Sequence, residues 1–163
     1  MLCLPISLVF NSFSSFVFLS KILKSKPIAY ANISGGKDNK DIKGEVLFFS
    51  YNDTSIVVSF IYNLPKTKTN IFGFHIHQNG NCDGDFSSSG PHLGNGDHPN
   101  HKGDLPVLFS NNGFAFSVFN TNRFTAKEII GRSIIIHQLP DDYSTQPAGN
   151  SGKRIACGLI EAY

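Results

Sequence analysis

The 163-residue chain contains no tryptophan and one methionine, and charged residues make up only 16% of it. Its 14 Lys and Arg against 12 Asp and Glu nowhere form a block. A chain without a basic patch has no electrostatic footprint for a nucleic-acid backbone, and that class of partner is excluded. No internal repeat is present, which sets repeat architectures aside. An uninterrupted apolar run is missing too. Residues 1 to 20 are apolar but broken by Asn11, Ser12, Ser14, Ser15 and Ser20, and the nearest charges, Lys21, Lys24 and Lys26, follow the run. A cleavable secretion signal carries positive charge ahead of its apolar core, the reverse of this order. The triplet Ala29-Tyr30-Ala31 has the form of a cleavage site, yet cutting there would halve an expected strand over 28–33. Residues 1–26 are therefore read as an N-terminal apolar extension, either an atypical signal or anchor or a non-functional arm. Residues 27–163 are read as one domain. A membrane is involved only if the extension is an anchor, and the compartment stays open between extracytoplasmic and cytoplasmic.

What the chain does have is 15 Gly, 8 Pro and a hydrophobic content of 40%, enough to exclude collagen-like and disordered classes. Short β-branched and aromatic runs alternate with turn residues: 45–49, 55–61, 71–77, 113–119, 133–137 and 155–160. These are strand lengths, and Asn111-Asn112-Gly113 carries a hairpin signal. Thr125 to Ile130 is the one stretch with room for a helical turn or two. The pattern predicts an all-β fold. Two polar stretches, Gln78 to Lys102 and Gln138 to Lys153, are longer than compact domains commonly tolerate without a purpose.

All six histidines lie in or beside these features: His75, His77, His92, His98, His101 and His137. In Gly73-Phe74-His75-Ile76-His77 a strand period of two places both imidazoles on one face, with Phe74 and Ile76 turned to the core. His92, His98, His101 and Asp104 follow at intervals of six, three and three. Three imidazoles and a carboxylate suit a tetrahedral zinc ion. If His92 serves two groups through its two ring nitrogens, then His75, His77, His92 and His137 form a four-nitrogen set suited to copper. A single histidine is more often a satisfied polar residue than a ligand, but five within 27 positions leading to an aspartate are hard to explain that way.

At these residues the sequence resembles the copper/zinc superoxide dismutase family over nearly all of 27–163. Gly73-Phe74-His75-Ile76-His77 looks like the family's copper-binding strand, and the run from Gly149 to Ile160 looks like its C-terminal signature. Gly90-Pro91-His92, Gly103-Asp104-Leu105 and Ile134-Ile135-Ile136-His137 stand between them in family order. The resemblance implies an immunoglobulin-like Greek-key β-sandwich or barrel with two long functional loops. It implies copper on His75, His77, His92 and His137, zinc on His92, His98, His101 and Asp104, and His92 as the bridge and proton carrier. It also implies Arg154 as the guide for the superoxide anion, Asp141 as a carboxylate joining one copper and one zinc histidine, and a disulfide from Cys82 to Cys157. Cys3 is left in the extension.

Two features depart from the better-known members. His92 to Asp104 spans only 12 positions, like the abbreviated loop of some bacterial members, and the loop Gln138 to Lys153 has only Asp141 and Asp142 as acids. The function implied is dismutation of superoxide. The alternatives are a copper-only dismutase and a non-catalytic copper-binding or chaperone module on the same fold, with a plain β-sandwich adhesion domain behind them. Monomer and homodimer are both compatible with the sequence.

Overall fold

A computed structural model describes residues 20–22 and 24–163. The expectation of an apolar extension falls largely on residues 1–19, outside the described residues. Among the described residues nine strands follow in order: β1 Ala29–Gly35, β2 Lys43–Tyr51, β3 Thr54–Tyr62, β4 Ile71–Phe72, β5 Phe74–His77, β6 Leu108–Phe109, β7 Ala115–Thr121, β8 Ser133–His137 and β9 Arg154–Ala162. Seven pair antiparallel in the order β5-β8-β9-β1-β2-β3-β7, and β4 pairs with β6. The non-sequential neighbours β5-β8, β9-β1 and β3-β7 are the crossovers of a Greek-key arrangement. The chain is almost all β, and its antiparallel sheet curls into a barrel. Among the described residues no helix is long and apolar enough to cross a membrane.

Alternation within strands decides what the barrel encloses. Ala29, Ala31 and Ile33 of β1, Val46 and Phe48 of β2, Val57 and Ile61 of β3, and Ile134 and Ile136 of β8 point inward to one core with Phe72, Phe74 and Ile76. Each fully buried Phe or Ile contributes about 1.5–3 kcal/mol relative to exposure. Outside the barrel, two areas are covered as well. Phe49, Ile56 and Val58 pack under Ile22, so residue 22 of the extension lies against β2 and β3. On the opposite side, β5 and β8 are buried on both faces, because the two long polar loops fold over their outer surface.

Two local segments differ from the expectation and a third matches it. The run 71–77 forms two strands, not one: Gly73 N–H bonds to Leu139 O and Gly73 O accepts from His137 N, which takes its peptide out of the ladder. Thr125 to Ile130 forms successive turns in place of a helix. Glu128 reaches back to the Thr125 N–H at 2.7 Å and hydroxyl at 3.1 Å, a helix-start device, but Gly131 at φ 82 ends it. The hairpin signal at 111–113 is realised, since Asn112 and Gly113 turn the chain at φ 51 and 82 between the bridged Asn111 and Phe114.

Candidate metal centre

The centre grows from β5. His75 and His77 leave its outer face while Phe74 and Ile76 enter the core, as the alternation requires. His137, at the end of β8, joins them across the ladder in which His75 opposes Ile135. His92 arrives from the loop after β5 and is fixed by an isolated bridge to His77 and by the Gln78 N–H bond to Pro91 O at 2.8 Å. One potential ligand atom from each of His75, His77, His92 and His137 lies within 4.8 Å of the others, and the same holds for His92, His98, His101 and Asp104. His92 belongs to both sets. The two groups anticipated from the sequence are therefore each assembled, with all six histidines buried or nearly so.

Hydrogen bonds on the far side of each ring decide which nitrogen faces inward. His75 Nε2 donates to Asp141 Oδ2 at 2.6 Å, and His98 Nε2 donates to Asp141 Oδ1 at 2.8 Å, so one carboxylate sets a histidine in each group. His77 Nδ1 donates to Gly90 O at 2.8 Å and His137 Nδ1 to Gly152 O at 3.2 Å. With those protons assigned, His77 Nε2 and His137 Nε2 meet at 3.3 Å lone pair to lone pair, an arrangement that a cation relieves. His75 Nδ1, His92 Nε2 and His98 Nδ1 are buried with no hydrogen-bond partner. Unpartnered buried nitrogens are costly unless something else satisfies them. His92 Nδ1 and His101 Nδ1 lie 2.7 and 3.0 Å from the Asp104 carboxylate, and His98 Nδ1 lies 3.2 Å from it.

The electrostatics keep these donors in binding form. Burial holds His77 neutral down to about 2 and His137 down to about 3. Burial also lowers His75, against the opposing pull of Asp141. Burial alone would raise Asp104, but the His92 hydrogen bond and the adjacent His98 and His101 outweigh it and lower it to about 2. Asp141 likewise stays below the usual carboxylate range, where burial is outweighed by His75, the Tyr143 N–H and His98. Neutral imidazoles and an ionised carboxylate are what a metal needs.

Arg154, at the start of β9, is clamped to the loop carrying residues 86–90. Its Nη1 donates to Phe86 O, Ser87 O and Ser89 Oγ at 2.6, 3.1 and 2.8 Å, and its Nη2 to Gly90 O at 2.7 Å. The Gly90 carbonyl thus accepts from both Arg154 and His77. Arg154 lines a groove of about 520 Å³ together with Lys37 and Lys153, but Asp38 and Asp85 line it too, so its charge is mixed. Cys82 and Cys157 form a disulfide with Cα atoms 5.7 Å apart, packed with Phe86 and Ile135. It ties the same loop to β9.

The sequence profile described as copper/zinc superoxide dismutase matches residues 42–160. The chain belongs to that family. Among copper/zinc superoxide dismutase relatives, the protein named "Superoxide dismutase [Cu-Zn]" of Photobacterium leiognathi is 39% identical over 124 residues, 64% of this chain and 72% of that one. "Extracellular superoxide dismutase [Cu-Zn]" of Drosophila melanogaster is 35% identical over 151 residues, 82% of this chain and 83% of that one. "Superoxide dismutase [Cu-Zn] 1" of Aquifex aeolicus is 32% identical over 151 residues, covering 81% and 86%. Copper and zinc are the cofactors of this family, and the donor sets fit them: four imidazole nitrogens for one, three imidazoles and a carboxylate for the other.

The sequence did not point to the Gly90 and Gly152 carbonyls or to Tyr143, whose N–H donates to Asp141 Oδ1 at 2.7 Å. It also gave no signal for Arg123 and Gln146, which hold the loop bearing His98 and His101. Backbone acceptors and remote side chains have no spacing by which to be found.

Proposed function

We propose that the protein is a superoxide dismutase with copper on His75, His77, His92 and His137, zinc on His92, His98, His101 and Asp104, and residues 27–163 as the dismutase-like domain. Residues 1–26 are an extension from it. The observation that carries the reading is the position of His92: its Nδ1 lies 2.7 Å from Asp104, and its Nε2 is buried, unpartnered and turned to the other histidines. A ring that offers one nitrogen to each of the two donor groups supports the reading of His92 as the residue both metals would share. Copper held by the four imidazoles would supply one-electron redox chemistry, by which two superoxide anions and two protons become one dioxygen and one hydrogen peroxide.

The chain's own residues do the rest. His92 Nε2 is the site from which a proton reaches the reduced product, while Nδ1 keeps the ring oriented through the Asp104 side. Asp141 fixes the ring planes of His75 and His98 together. Arg154 stays charged at any working pH and offers guanidinium donors to a small anion, held in place by the 86–90 loop.

Metal analysis of protein reconstituted with both ions, alongside a dismutation assay, tests the proposal. One copper and one zinc per chain with activity is the expected result, with His98→Ala losing zinc in preference to copper. Activity with copper alone would make this a copper-only enzyme, and metal binding without activity would make it a binding module.

A further inference from the structure

His75, His77 and His137 stand on paired strands, but His98 and His101 stand in a loop whose described backbone pairing closes at its neck. There Leu93 N–H bonds to Ile76 O, Ile76 N–H to Gly103 O, and Gly103 N–H to Leu93 O, at 2.8 to 2.9 Å. Beyond the neck, the loop's own bonds include Asn100 N–H to Asp97 O at 2.8 Å and His101 N–H to Asp104 Oδ2 at 2.9 Å, and two side chains grip it from other elements. Gln146, in the 138–153 loop, accepts from His98 N–H at 2.9 Å through Oε1 and donates to His98 O at 2.8 Å through Nε2. Arg123, just after β7, donates through Nη1 to Pro99 O at 2.8 Å and His101 O at 2.7 Å.

We infer that Arg123 and Gln146 are positioning residues for the zinc ligands, together holding the loop backbone so that His98 and His101 face Asp104 before metal arrives. The inference rests on the reading of His92, His98, His101 and Asp104 as the zinc group. The physical reason lies in how the two side chains satisfy the loop backbone. A carboxamide that satisfies both the N–H and the C=O of one residue does what a neighbouring strand does in a ladder. A guanidinium spanning two carbonyls supplies charge-assisted bonds at fixed geometry. Between them, four backbone groups on His98, Pro99 and His101 are fixed from two sides, and the side chains that project from them lose freedom before binding instead of during it. Neither residue bonds to a histidine of the copper group through any of these contacts, so the effect falls first on the zinc group.

The test is competition for zinc against a chromophoric chelator, with copper affinity measured on the same proteins. Loss of a residue that orients metal ligands commonly weakens a site about 10- to 100-fold. Arg123→Ala and Gln146→Ala are each expected to weaken zinc about tenfold and the double variant about 100-fold, with copper unchanged. Gln146→Glu keeps the acceptor for the His98 N–H but loses the donor to its carbonyl, and should fall between parent and Gln146→Ala. A double variant that binds zinc within about twofold of the parent, while His98→Ala still abolishes it, overturns the inference and leaves the zinc assignment standing. Copper affinity falling in step with zinc overturns it as well, because the fold as a whole would then have loosened. A parent protein that takes up no zinc overturns both.

Discussion

On the function proposed above, Arg154 has two tasks, to hold the 86–90 loop and to guide the anion. Its Nη atoms bond to Phe86 O, Ser87 O, Ser89 Oγ and Gly90 O, while it remains only half-buried and so accessible from the groove beside Lys153. Removing it takes away one of the groove's positive charges and the clamp. Arg154→Ala is expected to keep both metals, because no ligand is deleted, and to dismutate superoxide about tenfold or more slowly, within the range electrostatic steering supplies. The rate difference should shrink with added salt, since steering is screened. A rate equal to that of the parent protein at low salt would remove Arg154 from the mechanism. Gly149 makes a related point about space. Its φ of 62 suits glycine, and a Cβ there would overlap Asp141 Oδ1 and come within 2.6 Å of His98 Nε2. The absence of a side chain at 149 is what lets Asp141 reach His98.

At the scale of elements, the attachments that pin the loop carrying residues 78–102 to the barrel include the Cys82–Cys157 bridge, Arg154 and the His77–His92 backbone bridge. The disulfide spans 75 residues of sequence. A closed loop of that length stabilises by about 4 kcal/mol in the chain-entropy account. Cys82→Ser with Cys157→Ser should lower the unfolding free energy in denaturant titration by an amount of that order, and a loss below about 1 kcal/mol would show that the remaining attachments suffice. How much of this was legible follows from the kind of pattern involved. The alternation Phe74-His75-Ile76-His77 is local, so the sequence alone placed both imidazoles on one face and both apolar side chains in the core. The His and Asp spacing of 92, 98, 101 and 104 is also local. The break at Gly73 was not legible, because its cause is the Leu139 carbonyl, 66 positions away in sequence but adjacent in space. Arg123 and Gln146 escaped notice for the same reason.

For the whole molecule, the cost of assembling this centre without metal is a dependence on pH. His77 and His137 are held by burial to about 2 and about 3 in the folded chain, against 6.5 when unfolded. Between about 6.5 and 3 the unfolded chain takes up protons on these rings while the folded chain does not. Their contribution to stability is therefore fully present above about 6.5 and is lost as pH falls through that window. Asp104 and Asp141, lowered in the folded state, add to the loss once the pH drops below the usual carboxylate range. The denaturant midpoint of metal-free protein should fall between pH 7.5 and pH 5. A midpoint that holds or rises on acidification would contradict the burial of neutral imidazoles described above.

The double-sided burial of β5 and β8 has a further consequence for how the molecule breathes. Segments with both faces covered open only when the entire fold opens, whereas exposed loop backbone opens on its own at little cost. Asn95, Gly96 and Asp97 are exposed, while every residue of β5 and β8 is buried. Amide hydrogens at His75, His77 and His137 therefore exchange on the timescale of global unfolding, and those at 95–97 exchange by local opening. The histidines carried on β5 and β8 and the loop tip at 95–97 thus sit at opposite ends of the protein's hierarchy of local stability.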